Sequence, residues 1–162
     1  MISLELTDTK QLMSHLLSKD VFDRYLIREV LITTFCTMRF DGAFRRDFYS
    51  AEEMEEMKSA EEFVRWDRLK TFCFQFVKGK RLPLKMQLTF LLPPEEVRRL
   101  MSDVSFSDDI TAENVNSLSF TILYEQSRSS VRSGLSLNIF TLDKSFEHAW
   151  DHEVAKIFEA YR

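Results

Sequence analysis

The sequence predicts an α+β protein, an antiparallel sheet of about six strands with its helices gathered on one face. Three observations predict it. Strict alternation, cleanest where Leu84, Met86, Leu88, Phe90 and Leu92 face Lys85, Gln87 and Thr89, marks half-buried strands. Runs with apolar residues three and four apart lie between these strands and have the spacing of amphipathic helices. The elements fall in the order β-α-β-β-α twice, the second time from near Leu84. That repetition suggests a tandem duplication of residues 1–82 and 83–162 inside a single domain.

Taken in order, Ile2, Leu4 and Leu6 alternate and give a first strand. Asp8 with Gln11 has capping-box spacing, and Leu12, Met13, Leu16 and Leu17 supply the stripe of a first helix. Val30 to Phe40 and Ala43 to Tyr49 are β-prone runs around Asp41-Gly42, the strongest hairpin signal in the chain. Ser50-Ala-Glu-Glu53 and Ser59-Ala-Glu-Glu62 are one tetrapeptide used twice. They predict a short acidic helix, a break near Lys58-Ser59, and a longer helix through Phe63, Trp66, Leu69, Cys73, Phe76 and Val77, ended by Gly79. Phe72, Phe74 and Phe76 also alternate, so periodicity leaves Thr71 to Lys78 open between helix and strand.

Leu84 to Leu92 is a strand, and Pro93-Pro94 followed by Glu95-Glu96 opens a short helix carrying Val97, Leu100 and Met101. Asp103 to Asn116 reads as a polar loop. Leu118 to Tyr124 and Val131 to Leu142 form a second hairpin around Ser127 to Ser130. Asp143 is placed to cap a last helix with Phe146, Trp150, Val154, Ile157 and Tyr161 on its apolar face. Both closing helices carry Trp-Asp, at Trp66-Asp67 and Trp150-Asp151, which supports the duplication.

Composition narrows the chemistry. The chain of 162 residues carries a net charge of −4, so bulk attraction to nucleic acid or to an anionic membrane is not indicated, although a local basic patch would escape that argument. No secretory signal or spanning segment is visible, and a cytoplasmic protein is expected. Cys36 and Cys73 have no CxxC spacing and read as two buried small hydrophobes. With 3 glycines in all, there is no GxGxxG, GxxxxGK[ST] or GxSxG, and no cofactor is expected.

Several groups of residues are candidates for function. Lys78, Lys80 and Arg81 form the densest basic cluster, and with Lys85 and Arg39 they could contact the phosphates of a nucleic acid. The more ordinary role of such a cluster is to complement a helix C-terminus. His148 and His152 stand at i, i+4, and Glu159 shares their outer face, a minimal metal set that lacks the Glu of a zinc-protease motif. The acidic run Glu52, Glu53, Glu55 and Glu56 reads as a solvated face, and His15 as a half-buried helix residue. Asp108-Asp109 lie in the polar loop. Finally, Lys85, Gln87, Thr89, Thr33, Thr37, Arg39, Ser119, Thr121, Ser136 and Asn138 share the sheet face opposite the core, with Phe35, Leu91, Leu123 and Phe140 among them. A broad polar face carrying a few apolar residues can serve as an interface.

Phe74–Leu84 (FQFVKGKRLPL) and Phe140–Asp151 (FTLDKSFEHAWD) resemble a family of small proteins of unknown function from anaerobic Gram-positive bacteria. The resemblance runs through most of the chain. It implies a bacterial cytosolic protein and carries no catalytic residue or ligand. The reading therefore leans to a non-enzymatic protein whose polar sheet face takes a protein partner or a second copy of itself. Nucleic-acid binding is the alternative, and a metal-dependent enzyme using His148 and His152 the second alternative.

Overall fold

The computed structural model describes residues 1–57, 61–103 and 110–162. The predicted break near Lys58-Ser59 and the Asp108-Asp109 pair lie outside the described residues. The chain runs β1 (Ser3–Leu6), α1 (Thr9–Leu17), β2 (Leu26–Thr33), β3 (Thr37–Asp41), α2 (Ala51–Glu56), α3 (Trp66–Val77), β4 (Lys85–Leu91), α4 (Pro94–Asp103), β5 (Val115–Glu125), β6 (Arg128–Leu137) and α5 (Ser145–Ile157). One six-stranded sheet has the order β1-β6-β5-β4-β2-β3, and every neighbouring pair is antiparallel. This is the expected α+β architecture.

Register puts the core on one face. Ile27, Phe90, Phe120 and Ser133 form one cross-strand row; Val30, Leu88, Ile122 and Val131 form the next. Phe90 and Phe120 stack at 5.3 Å, and Trp66 of α3 and Phe158 beyond α5 meet them edge-on at 5.5 and 5.2 Å. Such pairs contribute about 0.5–1.5 kcal/mol each beyond burial of area. The indole N–H of Trp66 donates to the Leu16 carbonyl of α1 (2.8 Å), and that of Trp150 donates to the Ser119 carbonyl of β5 (3.0 Å). Both Trp-Asp pairs thus use their tryptophan in the same way. Their aspartates differ, since Asp67 is exposed while Asp151 is buried and accepts from the Ser133 hydroxyl at 2.5 Å.

The amino group of Met1 ties the start of the chain to α5, 2.5 Å from Glu147 and 3.0 Å from Asp151. Its hydrogen bond, helped by Lys144, holds the Glu147 carboxyl down at about 2.

The order β-α-β-β-α occurs twice, with α2 and a 3-10 turn at Arg46–Phe48 interposed. The pairing does not repeat with it. β4 lies beside β5, whereas β1 pairs with β6 at the far edge.

Several local expectations change. Asp41-Gly42 is not the hairpin turn; β2 and β3 are joined by Thr34-Phe35-Cys36, and Asp41 ends β3. Gly42 is required by packing, because a Cβ there would sit 1.8 Å from the Ile27 carbonyl oxygen. Phe35 therefore leaves the sheet and stands 91% exposed at the turn. Phe63 precedes α3 in an extended segment bridged to Ala43. Thr71 to Val77 is helical, which leaves Phe72 largely exposed against Phe40 at 6.0 Å. Leu84 falls just outside β4 and is exposed, as is Leu142, because β6 ends at Leu137. Phe140 is likewise off the sheet and exposed. The second hairpin turns at Gln126 and Ser127, both left-handed (φ 51° and 61°), the two-residue turn that suits strand twist. Lys144, not Asp143, occupies the N-cap position of the last helix and makes no side-chain capping bond, while the Asp143 carboxylate accepts from the Ser145 N–H at 2.9 Å.

Cys36 sits in the β2–β3 turn and is exposed, against expectation; Cys73 is buried in α3, where desolvation pushes its thiol up to about 12. Native protein is expected to react with one equivalent of Ellman's reagent and to release the second thiol only on unfolding. Two fast equivalents in the native state would contradict the packing of α3.

Candidate functional site

The sheet face away from the helices carries Thr33, Lys85 and Glu125 in one row, Arg39, Leu31, Gln87, Leu123 and Ser130 in the next, and Glu29, Thr89, Thr121 and Arg132 in the third. Its polar character follows the alternation read from the sequence. The Thr89 and Thr121 hydroxyls pair across the strands at 3.1 Å. Leu91 is on this face by register yet is only 5% exposed, at the bottom of a cleft.

That cleft, of about 820 Å³, opens where the face meets α4. Its apolar floor is Leu26, Phe63, Leu91, Val97 and Val115. The sheet brings polar groups to it by breaking register. Pairing of β2 with β4 slips between Ile27 and Glu29, which leaves Arg28 out of the ladder. Pairing of β5 with β6 slips between Val115 and Ser117, which leaves Asn116 out. Both Arg28 and Asn116 line the cleft. A bulge adds one residue to one strand and re-aims its side chain, which is why bulges concentrate beside binding sites. The Arg28 guanidinium lies 5.8 Å from the Phe63 ring centroid and 3.4 Å from the Ser117 hydroxyl; the Asn116 amide lies 3.4 Å from the Ser136 hydroxyl. Those last two contacts are long, so these donors remain available to a ligand.

The walls are fixed independently. Arg65, in the segment before α3, reaches Glu95 in the first turn of α4 at 2.9 Å. The Glu95 carboxyl is held below its ordinary range by its own backbone N–H at the helix start and then by Arg65. On the other side the 3-10 turn Ala112–Asn114 is tied to the end of β6, since Asn138 donates to the Glu113 carbonyl at 2.8 Å. Arg98, Glu62 and Glu113 complete the rim, so its charge is mixed.

The basic residues singled out in the sequence lie elsewhere. Lys78, Lys80 and Arg81 are exposed in the loop between α3 and β4, at the opposite end of the sheet from the cleft. Lys85 begins β4 directly across from Glu125, and Arg39 lies two strands away on the edge strand, 3.2 Å from Glu29. On the open face Arg39 is thus paired with Glu29 and Lys85 lies opposite Glu125 without an ion pair, while Arg132 stands across from Thr121. His148 and His152 are exposed on α5 as their spacing predicts. Glu159 does not join them as a ligand set, since α5 ends at Ile157 and a 3-10 turn carries Glu159 out of helical phase. Among the described residues no group of three or more His, Cys, Asp or Glu is placed to hold a metal ion. His15 packs against Tyr161, its Nδ1 2.7 Å from the phenol oxygen. None of the three histidines lines the cleft, so Ser117 and Ser136 have no imidazole base.

Sequence reasoning missed Arg28 and Asn116. For Arg28 a signal existed: Ile27 and Val30 both face the core with two residues between them, a slip in alternation that marks a bulge. Asn116 falls at the end of Asp103 to Asn116, a stretch whose polar composition reads as a loop.

No curated protein and no solved structure matches the chain. A family model does match, over residues 15–162. That stretch takes in the last turn of α1, all of α2 through α5, five of the six strands and every side chain named in the cleft, and it places the chain in the family of unknown function DUF5721.

Proposed function

We propose that the protein is a non-enzymatic binding protein and that the open sheet face, with the cleft at its end, takes an extended segment of a partner polypeptide. The observation that carries this reading is the pair of bulges, which deliver Arg28 and Asn116 into one apolar-floored cleft. An apolar floor with a few convergent polar groups is the usual form of a binding site. The guanidinium, amide and hydroxyl groups can pair with peptide N–H and C=O groups, and the mixed rim suits a polypeptide better than a polyanion. A nucleic acid would meet Glu62 and Glu113 at the cleft and Glu29 and Glu125 on the face.

A displayed library of random peptides, selected against the folded protein, tests the reading. Selected peptides are expected to lose about 10-fold or more in affinity to Arg28→Glu, since removing one partner of a desolvated charged contact costs about 1.5–3 kcal/mol. Lys156→Glu, on the outer side of α5, should change nothing. Peptides indifferent to Arg28, or an unproductive selection, would count against the cleft.

A further inference from the structure

At the end of the sheet remote from the cleft, two loops project side by side. The Leu84 N–H donates to the Thr33 carbonyl at 2.9 Å, and Phe35 packs on Phe76 at 5.9 Å, so the β2–β3 turn and the 78–84 loop form one tip. That tip is apolar where it projects furthest. Phe35 is 91% exposed, Leu82 75% and Leu84 68%, values unusual for large apolar side chains on one small surface. Lys78, Lys80 and Arg81 are threaded through the same loop, with Lys85 at its base. None of these four cations makes an ion pair among the described residues, whereas Arg39, Arg45, Arg65 and Lys70 all do. Behind the loop lies an apolar groove of about 440 Å³, lined by Met13, Leu17, Val77 and Met86, with Lys10 and Arg81 at its rim.

We propose that this tip docks on an anionic lipid surface, with Phe35, Leu82 and Leu84 entering the headgroup–acyl boundary and Lys78, Lys80, Arg81 and Lys85 meeting lipid phosphates. The charge pattern selects that occupant. The chain as a whole is acidic, so an unpaired basic tip on it is a local inversion of sign. Separate apolar points interleaved with lysines suit a lipid boundary, where ammonium groups reach outward while their aliphatic stems bury. A flat protein interface would instead deplete lysine at its centre. The groove behind the loop offers room for part of one acyl chain. The docking is peripheral: no helix among the described residues is long and apolar enough to cross a membrane. The inference stands apart from the peptide-binding reading, because the cleft lies at the other end of β2.

Cys36, next to Phe35 and exposed, provides the probe. The full chain labelled there with an environment-sensitive dye is mixed with vesicles of phosphatidylcholine alone or of phosphatidylcholine with phosphatidylglycerol. A blue shift and co-sedimentation are expected with the anionic vesicles only, weakening as salt rises. Each Lys or Arg near an anionic leaflet is worth about fivefold in partitioning, so Lys80→Gln with Arg81→Gln is expected to lose about 25-fold. Leu84→Ser should abolish the blue shift, while Phe48→Ser, at an exposed apolar residue away from the tip, should not. These positions are exposed, so unaltered circular dichroism is expected for every variant.

The proposal is overturned if anionic vesicles give no shift and no sedimentation. It is equally overturned if glycerol 3-phosphate displaces the protein fully and Leu84→Ser has no effect, which would make the tip a site for free phosphate. A shift that follows protein concentration without vesicles would assign the tip to a second copy of the chain, and binding to polyglutamate but not to vesicles would assign it to an acidic protein.

Discussion

Gly42→Ala is expected to destabilise the protein by about 3 kcal/mol or more, at the upper end of what overpacking costs. The added Cβ would lie 1.8 Å from the carbonyl oxygen of Ile27 and 2.7 Å from its carbon, so backbone, not a flexible side chain, must move. The site has little slack. Gly42 N–H donates to the Arg28 carbonyl and Val64 N–H donates to the Gly42 carbonyl, both at 2.9 Å. Ile27 N–H donates in turn to Val64, also at 2.9 Å. Gly42 thus sits where β2, the end of β3 and the segment before α3 converge, one residue from the Arg28 bulge. Denaturant unfolding should show a lowered midpoint with an unchanged slope, and peptide binding at the cleft should weaken with it. A variant as stable as the parent would mean that the junction is looser than the hydrogen bonds imply.

Trp66→Ala is expected to cost about 3–5 kcal/mol, the range for deleting a large buried aromatic. Trp66 is fully buried, meets Phe90 edge-on, and donates to the Leu16 carbonyl in the last turn of α1. Carbonyls in a last helical turn have no partner within the helix, so this indole closes the C-terminal end of α1. Trp66→Phe separates the two contributions. It keeps most of the apolar volume and leaves the Leu16 carbonyl unpaired, for an expected loss of about 1–3 kcal/mol. Chemical denaturation of both variants checks the order. Equal losses would assign the whole effect to the hydrogen bond, and no loss for Trp66→Phe would assign it to packing.

The fold was legible wherever alternation or helical spacing ran uninterrupted. Leu88, Phe90, Ile122 and Val131 face the core as their period requires, and Ser50 with Glu53 forms the capping box that starts α2. Errors came from signals with two physical causes. Asp41-Gly42 looked like a turn because glycine permits left-handed backbone, yet here glycine serves close approach to Ile27. Phe72, Phe74 and Phe76 alternate like a strand, but the helix set by Trp66, Leu69 and Cys73 prevails and leaves Phe72 and Phe74 exposed. Phe35 sat in an apolar run that reads as strand interior, although the hairpin turns there. The cleft was not legible, because it depends on where strands slip past one another, and a slip belongs to a pair of strands. The basic tip was half legible: Lys78, Lys80 and Arg81 stood out as a cluster, but its company with Phe35 is created by the turn between β2 and β3.

Photo-crosslinking from the cleft captures whatever occupies it. A photoreactive amino acid is placed at Asn116, with Lys156 as the control position on α5, and the protein is irradiated in the cells that make it. A discrete polypeptide adduct is expected from position 116, absent from position 156 and lost when Arg28→Glu is added. No adduct at position 116, or the same adducts from both positions, would contradict a polypeptide-binding cleft.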